Sequence, residues 1–109
     1  VWGDGLQTRS FLYVEECVEG VRNLMDSECT VPVNIGSEEM ISINDFAKMI
    51  IGISGKNIHV KNIPGPEGVR GRNSDNALIQ KEIGWSPSWP LQKGMERTFA
   101  WIKEQVEKA

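Results

Sequence analysis

Two stretches of this chain set arginine among glycines: Gly3-Asp4-Gly5-Leu6-Gln7-Thr8-Arg9-Ser10 and Pro64-Gly65-Pro66-Glu67-Gly68-Val69-Arg70-Gly71-Arg72-Asn73-Ser74-Asp75. A guanidinium meets phosphate oxygens with paired donors fixed in one plane, and glycine lets backbone amides approach the same anion. The chemistry these residues suit is the grip of a diphosphate, with positive charge converging from two loops onto adjacent phosphates. Arg9 and Arg72 are the main candidates. Arg70 is expected to pair with a carboxylate or to face water. The second stretch is a long connection, a kind that tends to be functional or disordered.

Other reactive side chains do not assemble a site. His59 is the single histidine and stands in an alternating segment, where a satisfied imidazole is the expected role. Cys17 and Cys29, with one histidine, are too few soft ligands for a structural zinc, so no metal is expected and both thiols are read as reduced and partly buried. Glu15 and Glu16 are neighbours on a helix and point about 100° apart, so they complement the helix dipole rather than share a proton. Trp2, Trp85, Trp89 and Trp101 are read as packing residues.

The elements that must hold the two loops are short. Phe11–Val14 is β-prone, and Val14, Val18, Val21 and Met25 then fall at helical spacing. Val31-Pro32-Val33-Asn34-Ile35-Gly36 reads as a second strand, and Ile58–Ile63 alternates like a half-buried third. Ser42 caps a helix with Asp45 three residues on, Phe46, Met49, Ile50 and Ile53 form its stripe, and Gly55 ends it. Ser74 or Asp75 opens a short helix through Leu78, Ile79 and Ile83, closed by Gly84. A last helix spans Leu91 to Lys108 with Leu91, Met95, Phe99, Ile102 and Val106 on its core face. The expected class is α/β, with short strands and about four helices.

With 109 residues there is room for one domain, so residues 1–109 are read as a single unit. A net charge of -3 gives no basic field for nucleic acid, and no run approaches the roughly 18 apolar residues of a membrane span. A soluble, cytoplasmic chain is expected, without nucleic-acid or membrane partners. Few strands for the number of helices, and a start at Val1, suit a fragment of a larger α/β protein.

The order Gly3-Asp4-Gly5-x-Gln7-x-Arg9-x-Phe11-x-Tyr13-Val14-x-Glu16-x-x-Glu19-Gly20 resembles the segment that opens the substrate-binding part of the extended short-chain dehydrogenase/reductases acting on nucleotide sugars. Members commonly have Asp at the positions of Ser10 and Glu16. Gln7-Thr8-Arg9-Ser10, with the loop from Pro64 to Asn76, is similar to the subfamily that epimerises GDP-mannose. The resemblance implies a substrate-binding fragment in which Gln7, Thr8, Arg9 and Ser10 contact a nucleotide-diphosphate sugar and Arg72 binds its diphosphate. It also implies tightly held NAD, transient oxidation of the hexose at carbon four, inversion by an acid/base pair and return of the hydride.

That machinery is not in this chain. No glycine-rich dinucleotide fingerprint follows a strand, and Tyr13 has Cys17 where the family's Tyr-x-x-x-Lys needs lysine. NAD and the catalytic residues are expected in an N-terminal Rossmann half, which would be the partner of this piece, and the piece alone is expected to be inactive. A homodimer remains open. Two rival readings stand beside this one: another nucleotide-sugar 4-epimerase or dehydratase, and a non-catalytic α/β module whose arginine loop meets a phosphorylated or acidic partner.

Overall fold

The computed structural model describes all residues, 1–109. The elements run β1 (Thr8–Ser10), α1 (Val14–Met25), β2 (Met40–Ser42), α2 (Ile43–Ser54), β3 (Gly71–Arg72), α3 (Ala77–Ile83) and α4 (Leu91–Lys108). The three strands form one mixed sheet in the order β2-β1-β3, antiparallel between β1 and β2 and parallel between β1 and β3. Four helices and a small sheet make an α/β chain, as the sequence predicts. No helix is long and apolar enough to cross a membrane.

The helices follow their local signals. The Ser42 hydroxyl accepts the Asp45 amide at 3.1 Å and opens α2, and Gly55 ends it in the left-handed conformation at φ 66°. Gly84 closes α3 in the same way, and α4 spans the expected residues. The N-terminus of α3 differs, because Ser74 and Asp75 precede it and Asn76 is the capping position. Its open amides go to carboxylates instead: the Asn76 N–H donates to Glu38 and the Ala77 N–H to Asp75, each at 3.0 Å.

The strands depart from the expected pattern. Phe11–Tyr13 is unpaired and the strand lies just before it, at Thr8–Ser10. Val31–Gly36 and Ile58–Ile63 form no ladder, apart from a parallel bridge between Ile63 and Trp2. Extended, alternating sequence makes a strand only when another backbone lies alongside; Val31–Gly36 has none, and Ile58–Ile63 meets Val1–Gly3 only at its end. Pro32 removes one donor besides.

The core is small. Ile79, Trp85 and Leu91 are its buried apolar residues. The α1 helix crosses Trp85 at Gly20, where an added Cβ would lie 3.0 Å from the indole ring and from Ile35. Phe11 stacks on Phe46 of α2 at 4.2 Å, and Tyr13 lies 4.8 Å from Trp89, over which the Arg97 guanidinium sits at 5.3 Å. The radius of gyration is 16.4 Å, against about 13 Å for a compact domain of this length. The expected core stripe of α1, Val14, Val18, Val21 and Met25, is likewise left exposed, with Met25 at 78 %. Trp2, Trp101, Ile102 and Val106 are also exposed, so packing within this chain accounts for Trp85 and Trp89 but not for the other two tryptophans or for the end of the α4 stripe.

Candidate diphosphate-binding cleft

The two glycine loops lie against each other between two points of parallel pairing. At one end Trp2 bridges Ile63, with the Gly3 amide donating to the Ile63 carbonyl at 2.9 Å and the Ile63 amide to the Val1 carbonyl at 2.8 Å. At the other end Thr8 pairs with Gly71 and Arg9 with Arg72. Between them the loops bulge, and Gly3 permits this at φ 73°, where a side chain would also strike Glu67.

The ion pair expected of Arg70 is present. Its guanidinium holds Asp4 through two bonds of 2.9 Å, and Glu67 lies 3.6 Å away. Arg70 holds the Asp4 carboxyl below its ordinary value, helped by the Leu6 amide, and the Arg70 guanidinium is raised in turn.

Arg9 and Arg72 are direct neighbours in the parallel register and line one cleft of about 380 Å³ with Ser10, Asn34, Asn73 and Ser74. No aspartate or glutamate lines it. Arg9 donates to its own neighbour's carbonyl, Thr8, at 2.7 Å, and neither arginine has a carboxylate partner. Gly68 closes over Arg9: a Cβ there would sit 3.7 Å from Nη2. Like charges at paired positions on neighbouring strands repel, and an anion bound between them relieves both.

Of the five residues expected to meet ligand, the fold brings Arg9, Ser10 and Arg72 to one cleft. Gln7 turns inward and is buried, with Nε2 on the Trp2 carbonyl at 3.2 Å and Oε1 unpartnered. Thr8 directs its hydroxyl at Gly71 and does not line the cleft. Asn34, on the cleft wall, was missed in sequence because it stands in a segment that reads only as a strand.

Helix N-termini, the other common anion sites, all have the chain's own carboxylates close by. Glu15 and Glu16 occupy the first turn of α1 and Asp45 that of α2. Glu38 serves the start of α3, and Glu39 accepts the Leu91 amide of α4 at 3.0 Å. A larger hollow of about 570 Å³ contains both Glu38 and Glu39 and repels phosphate. Neither βα junction, Phe11–Tyr13 or Ser42–Ile43, carries the glycine that lets a pyrophosphate meet a helix N-terminus, so these residues do not fit a dinucleotide. Desolvation, then the neighbouring Glu15, pushes the Tyr13 phenol up from 10.0. Cys17 and Cys29 are both free thiols. The arrangement can hold an anion.

No family model matches the chain. It is 56 % identical over 108 residues to GDP-mannose 3,5-epimerase of Arabidopsis thaliana, covering 99 % of this chain and 29 % of that protein. Among solved structures it superposes on UDP-glucose 4-epimerase of Thermotoga maritima with a TM-score of 0.91 at 24 % identity, over 97 % of this chain and 35 % of that one. UDP-glucuronic acid 4-epimerase of Bacillus cereus, in complex with UDP-glucuronic acid and NAD, matches with a TM-score of 0.86 at 28 % identity, over 96 % and 35 %. The chain thus spans under a third of the curated relative and about a third of the solved ones.

Proposed function

From its homology to the nucleotide-sugar epimerases and dehydratases, NAD-dependent enzymes of the extended short-chain dehydrogenase/reductase family, we propose that this chain is the substrate-gripping portion of such an enzyme. The ligand is a nucleotide-diphosphate sugar, and the 56 % identity favours GDP-mannose, converted to GDP-L-galactose by the whole protein. One observation carries the reading. Arg9 and Arg72, from loops 63 positions apart in sequence, share a cleft that holds no carboxylate.

Each guanidinium offers paired donors to one phosphate, and Ser10, Asn34 and Asn73 add neutral donors around them. The chain orients the diphosphate and leaves the sugar to chemistry supplied by the rest of the polypeptide. NAD and the acid/base pair belong to that remainder, and the exposed stripe of α1 is the surface it would cover. Without it the chain binds but does not turn over.

Titration calorimetry on the complete protein tests this. GDP-mannose should bind more tightly than UDP-sugars, and Arg72→Ala should weaken it by about 1.5–3 kcal/mol, the worth of a charge-assisted bond. Unchanged affinity would remove Arg72 from the site, and a preference for UDP-sugars would remove the GDP assignment while leaving the grip.

A further inference from the structure

Residues 64–70 are seven exposed positions, four of them glycine or proline, immediately before the strand that presents Arg72. Two kinds of hydrogen bond tie this segment to the rest of the chain, and both are made by Arg70. Its carbonyl accepts the Thr8 amide at 2.9 Å, and its guanidinium holds Asp4 bidentately. Asp4 is itself fixed, since Oδ1 accepts the Leu6 amide at 2.8 Å and its carbonyl accepts Asn44 Nδ2 at 2.8 Å from α2. Thr8 directly precedes Arg9, and Arg70 stands two residues before Arg72, with Gly71 between them.

Resting on the diphosphate reading of the cleft, we propose that Asp4 and Arg70 are positioning residues: their ion pair locks the β1–β3 register and so holds Arg72 beside Arg9 before ligand arrives. Neither touches the ligand. With the lock open, the glycine- and proline-rich segment is free, and binding must order it, which lowers affinity without altering the reacting atoms. The bidentate fork is what makes the lock directional; a lysine at 70 keeps the charge and loses the paired geometry.

The sign of one substitution separates positioning from simple charge. Asp4→Asn deletes a negative charge near an anion site, which by field alone tightens anion binding. Positioning predicts the opposite. In the complete protein, Asp4→Asn and Arg70→Lys should each raise Kd for GDP and KM for GDP-mannose about tenfold while kcat stays within about twofold. The double variant should be no worse than either single one, because both break the same lock. Arg70→Lys retains the carbonyl bond to Thr8, so it remains informative should Asp4→Asn misfold. GDP binding by Asp4→Asn that equals or exceeds wild type overturns the proposal, as does a full effect in Asp4→Asn with none in Arg70→Lys. Arg72→Ala run in parallel isolates the other failure: if it alone is silent, the cleft reading falls, and if it weakens binding while the lock variants do not, the cleft stands and the lock falls.

Discussion

Glu16 Oε1 accepts the Trp89 amide at 2.9 Å across 73 residues, and takes both the amide and the hydroxyl of Ser88 as well. The carboxylate of α1 thereby satisfies the backbone that enters α4, while Glu39 satisfies Leu91 one step on. Glu16 is buried, so its removal strands those donors. Glu16→Ala should cost about 2 kcal/mol in urea unfolding, with Glu16→Gln closer to wild type because an amide oxygen still accepts. Equal stability of all three proteins would show that the α1–α4 joint is held by packing alone.

Arg9 and Arg72 lie next to each other without a counterion, an arrangement that favours ligand over the empty state. In the ligand-free protein Arg72→Ala should therefore be no less stable than wild type, and roughly 0.5 kcal/mol more stable at low salt. Inorganic pyrophosphate should raise the melting temperature of wild type and leave that of Arg72→Ala unmoved. A wild-type protein indifferent to pyrophosphate would mean the two charges are satisfied in some other way.

Acid should open the Asp4–Arg70 lock. The folded Asp4 carboxyl titrates below its ordinary 3.8, so its contribution is fully present above that value and is lost as pH falls through the lowered one. Arg70 is shifted further upward by the Asp4 carboxylate and stays charged throughout. Between about pH 5 and 9 the lock is closed and insensitive to pH. The Gly68 amide resonance should hold a fixed position over that range and move in acid below 3.8, and in Asp4→Asn the acid step should vanish. A Gly68 shift centred near neutrality would point to a different group.

The sequence disclosed the helices because their signals are local. Ser42, Asp45 and Gly55 bound α2 within a few residues of where they act, and Gly84 does the same for α3. Strands depend on partners far along the chain. Ile58–Ile63 alternates correctly yet finds only Trp2, whereas Met40–Ser42, with no distinctive pattern, pairs because β1 reaches it. The site was half legible for the same reason. Arg9 and Arg72 stand out by type, but alternation along a strand would put Arg70 on the same face as Arg72. They separate because Arg70 lies in the bend before β3, where Asp4, 66 residues away, captures it. Nothing local marks that partner, nor the inward turn of Gln7.

The apolar stripe of α1 predicts how the isolated 109-residue chain behaves. Val14, Val18, Val21 and Met25 present a continuous exposed face, Trp101 and Ile102 of α4 are exposed too, and Val14, Trp101 and Ile102 line one shared groove. Residues 31–35 add backbone without ladder partners. Water in contact with that much apolar surface favours any cover, and a second copy is the cover available in solution. Light scattering should report a mass above 12.2 kDa that rises with concentration. Val18→Glu together with Val21→Glu should return it to a monomer without loss of helix, because neither side chain is buried within this chain. A wild-type chain that stays monomeric into the hundreds of micromolar would show that the stripe is tolerated in water, and would count against the proposal that the rest of the polypeptide covers α1.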